Sequence, residues 1–188
     1  MVYRMPGKFG AIKRCTIKQD PDSFKRNLNL YIISENSLGQ LTESPNRLKQ
    51  NLKTWISSYK MINDTVDILD AKILNIGIDF RILSSLDFDK FDVLEACRTK
   101  LVNFFSILPQ IGEPFYITDV FTQLKDVVGV VDVVDVRVRN DKTFGGSYST
   151  YVYDLDKNTS LDGRRVLIPS DVIWEIKFPN EDIRGEVL

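Results

Sequence analysis

Histidine is absent from the 188 residues of this chain. That removes the Ser-His and Cys-His nucleophile pairs, the imidazole proton shuttle, and the commonest ligand of zinc and copper. Catalysis would then need a constellation of Lys, Tyr or carboxylates. Cysteine is scarce, and Cys15 and Cys97 stand far apart in no metal-binding spacing. The expectation is two reduced thiols of an intracellular protein, with Cys97 a small hydrophobe on a buried helix face. No sign of charge predominates, because 25 Lys and Arg face 26 Asp and Glu. Nucleic acid and anionic membranes both call for clustered Lys and Arg. The densest basic stretches, residues 8–18 and Arg164-Arg165, have acids on their flanks. No apolar run reaches the ~18 residues of a membrane span, and Met1 to Pro6 lack the apolar stretch of a signal peptide. No cofactor, no nucleic acid and no membrane partner is therefore expected, and no enzymatic activity.

The patterning of the remainder predicts an α+β fold: a mixed sheet with helices packed on one side, in the order β-β-α-β-α-α-β, plus a C-terminal β meander or arm. Residues 9–19 and 27–33 read as strands around a turn signal at Asp20-Pro21-Asp22-Ser23. Residues 34–43 read as a loop. Ser44-Pro45 reads as an N-cap followed by a first-turn proline. Leu48, Leu52, Trp55, Ile56 and Tyr59 then fall on one helix face. Residues 68–83 read as one long strand whose alternation changes phase near Ile73, which implies a bulge or a change of packing partner. A second helix is expected over 88–108, with Phe91, Leu94, Cys97, Leu101, Phe104, Phe105 and Leu108 inward. A third is expected over 118–127 with Gly129 as its C-terminal cap, then a strand over 130–139. Short strands are expected at 148–155, 164–168 and 172–178. The expected division is an α+β domain over 1–140 and an extension over 141–188.

Several carboxylate groupings invite a metal, and each has a plainer reading. Asp154, Asp156, Asn158, Ser160 and Asp162 follow the start of a calcium loop, but Thr159 stands where the turn needs Gly and Arg165 where it needs Glu. A polar hairpin loop fits better. Asp87, Asp89 and Asp92 suit the positive end of a helix dipole. Asp64, Asp67 and Asp70 do not share a face. Gly145-Gly146-Ser147 lacks the Lys and the following helix of a phosphate loop. Phe80 and Tyr31 are the candidates for base stacking, among neighbours of mixed charge. The C-terminal aromatics admit two readings, packing on the parent domain or anchoring another subunit. On the second reading the interface comprises Tyr151, Trp174, Ile176 and Phe178, with Arg137 and Arg139 from the outer face of the 130–139 strand. The rival to an assembly role is a small ligand- or metal-binding domain with a carboxylate site.

Residues 48–55 (Leu-Lys-Gln-Asn-Leu-Lys-Thr-Trp), 59–64 (Tyr-Lys-Met-Ile-Asn-Asp), 68–73 and 75–80 together resemble the baseplate wedge protein of contractile-tailed phages. More broadly the chain is similar to the baseplate J-like family, through Ile111-Gly112-Glu113, Val127-Val128-Gly129-Val130, and the closing Trp174 to Pro179 with Asp182-Ile183 and Gly185. The resemblance covers about residues 9–185 and implies the C-terminal portion of such a protein. It implies a structural virion subunit, assembled in the bacterial host cytoplasm. Such a subunit dimerises, joins other wedge and sheath-proximal proteins, and forms a ring around the tail tube that helps anchor or trigger the contractile sheath. No catalytic residue is implied.

Overall fold

The computed structural model describes residues 2–20, 27–60, 65–140 and 148–188. The expected turn at Pro21-Asp22-Ser23, Asp64, and Gly145-Gly146-Ser147 lie outside them. The fold is α+β, as the patterning predicts, but among the described residues its strands fall into two four-stranded sheets and a short ladder. The chain contacts group into two compact units. One comprises Met1–Ile73, Gln110–Gly112 and Ser170–Ile173, the other Leu74–Pro109, Glu113–Pro169 and Trp174–Leu188. The main division falls at Ile73/Leu74 rather than at the expected 140/141. The residues expected to form an arm supply segments to both units instead.

In the first unit, β1 (Arg14–Gln19) pairs antiparallel with β2 (Asn27–Glu35). A two-residue β3 (Leu41–Thr42) also pairs with β2, inside the stretch expected as loop. On the other flank of β2 runs β4 (Thr65–Asp70), parallel to it. Helix α1 (Asn46–Ser57) buries Leu48, Leu52 and Ile56 against Leu30 and Ile32 of β2, with Val66 and Ile68 of β4 at the edge of the cluster. The apolar face predicted from spacing is the buried one, except that Tyr59 lies beyond the helix and is 54% exposed. Ser44 is not the cap. Its hydroxyl is shared with Ser34 at 2.8 Å, its N–H donates to Asp70, and Pro45 holds the N-cap position.

The phase change in the long predicted strand marks a change of partner. The strand breaks at Ala71 into β4 and β5 (Lys72–Ser84), and β5 belongs to the second sheet. Asp70, a polar residue at an inward position of β4, is matched there by the ammonium of Lys49 from α1.

In the second unit, β5 lies between β7 (Val130–Asn140), antiparallel, and β10 (Ile183–Val187), parallel. Strand β9 (Val172–Glu175) also pairs with β5. Neither β10 nor the short helix α4 (Pro179–Asp182) before it is expected from the sequence pattern. The sheet is two-faced. Ile78, Phe80, Ile82, Val133, Val136 and Ile183 point into the core, where α2 (Lys90–Phe104) and α3 (Ile117–Lys125) cover them. Helix α2 turns Cys97 and Leu101 inward as expected, with Val93 beside them, but Phe91 and Phe104 are 81% and 38% exposed. Burial pushes the Cys97 thiol up to about 11. Gly129 does not cap α3. It sits at φ +93° in the turn closed by the Val130 N–H on the Val127 carbonyl, between α3 and β7. The expected strand at 148–155 has no ladder, and that at 164–168 shrinks to β8 (Arg165–Val166), paired with β6 (Phe115–Tyr116).

Candidate interaction surface

The residues expected to anchor a partner fall into three groups. Trp174 is 7% exposed, packs edge-on against Phe105 and Phe115, and donates its indole N–H to the Glu113 carbonyl at 3.0 Å. It is a core residue, and its assignment to an interface is corrected: a buried indole whose N–H is already engaged has nothing to offer a partner. Phe178 and Ile176 are half-buried, and Phe178 packs edge-on to Tyr148 at 5.4 Å. Tyr151 is half-buried and stacks with Tyr153 at 6.3 Å. The C-terminal aromatics thus pack mainly on one another and on the parent unit. Among the expected anchors Arg137 is largely open, with a side chain 75% exposed.

Much of what ties the C-terminal residues down is polar. Asn75 in β5 donates to Glu175 at 2.9 Å and accepts from the Ser149 N–H at 2.6 Å. Asp182 is 1% exposed. Its carboxylate accepts from the Tyr148 hydroxyl at 2.6 Å and the Phe178 N–H at 2.8 Å, while its carbonyl accepts from Arg139 at 2.9 Å. Arg139 also lies 3.3 Å from the Asp79 carboxylate. A buried carboxylate with no partners would be costly, so each of these contacts removes a penalty as well as adding a bond. Nothing in residue spacing signals Glu175 and Asp182, because most of their partners lie in distant parts of the chain.

The carboxylates weighed as metal ligands have local occupations. Asp89 caps α2 by accepting from the N–H groups of Phe91 at 2.8 Å and Asp92 at 3.3 Å. Asp154 takes the Lys157 N–H and ammonium, and Asp162 takes Ser160 and the Arg164 N–H. These contacts hold both carboxyls below the usual range, Lys157 chiefly for the first and Ser160 for the second. Asp67 and Asp70 face opposite sides of β4. Phe80, a candidate for base stacking, is buried beneath the helices, and Tyr31 is half-buried in β2.

The open side of the β10-β5-β7 sheet carries charged groups on all three strands. Across the three strands, Arg184, Asp79 and Arg137 stand in one row, and Glu186, Arg81 and Asp135 in the next. Arg81 and Arg137 lie 3.0 and 2.9 Å from Asp135 and hold its carboxyl below the ordinary range, Arg81 most strongly. Toward one end β7 carries two bulges against β5. Val134 and Val131 are the extra residues, and they come out 50% and 61% exposed beside Leu83 at 42%. Extra valines in a strand read from sequence as more core. Only the register shows them turned outward. An open groove of about 390 Å³ runs along the charged rows.

No described helix is long and apolar enough to cross a membrane. No protein-family model and no curated protein matches this chain.

Proposed function

We propose that this chain is a structural subunit of a phage tail baseplate wedge, helping to form a ring around the tail tube and to anchor or trigger the contractile sheath. The observation that carries the reading is the ordered resemblance of residues 48–80, whose described part forms α1, β4 and the first part of β5. Those residues include the helix packed on the first sheet and part of the central strand of the second, so the resemblance lies in what shapes the chain and not in a detachable motif. The open sheet face supports a role in protein contacts, since exposed aliphatic groups beside charged ones suit a subunit surface. On this reading the partners are other copies of the chain and neighbouring wedge and sheath-proximal proteins, and the location is the virion.

Quantitative mass spectrometry of purified tailed particles tests the reading. The expected result is peptides of this chain at a copy number that is a multiple of about six, because the family it resembles forms a six-fold ring. Intact particles lacking these peptides would overturn it.

A further inference from the structure

We infer that the open face of the β10-β5-β7 sheet is a self-complementary interface, and that its occupant is the same face of a second copy. The pattern of charge carries this. Reading across the strands, the row Arg184, Asp79, Arg137 is plus, minus, plus, and the row Glu186, Arg81, Asp135 is minus, plus, minus. Each row is the complement of the other. A two-fold axis running across the strands between the rows sets two such faces against each other. It lays Arg184 over Glu186, Asp79 over Arg81, and Arg137 over Asp135 of the second copy. The other half of the interface repeats these three contacts, as an isologous contact must.

The orientation is selected as well as permitted. A two-fold axis along the strands would set Asp79 on Asp79 and Arg184 on Arg137, like on like, and such juxtapositions exclude wrong geometries. The groups are accessible: Arg184 and Glu186 are exposed, and the Arg81 and Arg137 side chains are 43% and 75% exposed. The pairs already made within one copy do not exhaust them, because a carboxylate accepts at both oxygens and a guanidinium donates five N–H groups in a plane. Facing sheets pack about 10 Å apart, a gap that opposed arginine and carboxylate side chains span together. The same axis lays the row of Leu83 and Asp132 over the row of Gly77 and Arg139 of the second copy, which sets Asp132 against Arg139.

The inference deepens the assembly reading and rests on it for its biological sense. Its test uses purified protein, so a monomeric chain would sink the interface and leave the particle measurement untouched, and the reverse also holds. Sedimentation velocity of the full chain at low salt is expected to show a concentration-dependent dimer. Raising the salt from about 50 to about 500 mM should weaken it about tenfold or more, as screening demands. Arg137→Asp and Asp135→Arg should each be mainly monomeric, since each sets like charges together twice across the axis. Mixed one to one, the two variants should recover the dimer. The carboxylate introduced at position 137 of one copy then meets the guanidinium introduced at position 135 of the other, and the second Arg137–Asp135 contact is untouched. Should either variant melt early, Arg137→Gln and Glu186→Gln, which remove a charge without reversing it, should each weaken the dimer severalfold. A wild-type chain that stays monomeric, or a mixture that stays monomeric while its folded variants do, would overturn the proposal.

Discussion

Gly185 lies in β10 beneath α2, where a Cβ would come 2.3 Å from the Phe80 ring and 2.6 Å from a Leu94 methyl. The glycine is there for space, since the neighbouring ring and helix occupy the volume of the missing carbon. Gly185→Ala should therefore cost about 1–3 kcal/mol by overpacking, read as a fall in the thermal midpoint. An unchanged midpoint would mean that Phe80 and Leu94 can yield. Asp135 gives the residue scale its pH dependence. Arg81 and Arg137 hold its carboxyl below the unfolded value, so its contribution is present above the ordinary carboxylate range, near about pH 4, and is lost as the pH falls through the depressed folded value. Acid titration of Asp135→Asn against the wild type should show the variant less stable near neutrality and the gap closing in acid. A gap that widens toward low pH would contradict the assignment.

Elements differ in how far their sequences announce them. α1 is readable because Leu48, Leu52 and Ile56 repeat at helical spacing next to a proline start, and the same side chains are the buried ones. β7 is readable as a strand, but its two bulges are not. Bulges are set by pairing with β5, and a run such as Val130-Val131-Asp132-Val133-Val134 has more apolar residues than one face can take. α2 misleads only near its ends, where Phe91 and Phe104, expected inward with the buried Cys97 and Leu101, are exposed. β10 escapes notice because Ile183-Arg184-Gly185-Glu186-Val187 carries little apolar weight, and its place beside β5 depends on residues about a hundred positions away. The candidate surface is legible only at Arg137, which reveals the face but not its lattice of charges. Of the two readings of the C-terminal aromatics, packing on the parent unit holds for the buried Trp174, while Tyr148, Tyr151, Tyr153 and Phe178 are half-buried. Truncation after Asn140 should consequently leave that unit unable to fold, with loss of its cooperative melt, and Trp174→Ala in the full chain should cost about 3–5 kcal/mol. A truncated chain that melts as the whole chain does would show that β9, β10 and Trp174 are dispensable.

At the scale of the whole molecule, the near-neutral balance of charge conceals a separation. The first unit carries twelve Lys and Arg against eight Asp and Glu, a net +4, and the second thirteen against eighteen, a net −5. Reading 25 against 26 as an absence of electrostatic character is right for the sum and incomplete for the parts. At neutral pH and low salt the chain should be retained on a cation exchanger as well as on an anion exchanger, although its net charge is −1. Flow-through on the cation exchanger would show that the surplus of the first unit is not presented to a surface. Both units also share a dependence on the end of the sequence. The first takes Ser170–Ile173 and the second takes Trp174–Leu188, with β10 completing a sheet whose central strand begins at Lys72. During synthesis one edge of β5 must wait for a neighbour that leaves the ribosome about a hundred residues later, although α2 and α3, which cover the apolar face, emerge before it. Until Ile183–Val187 arrive, that edge of β5 offers unpaired N–H and C=O groups to any passing strand, so the interval is a window for wrong pairing.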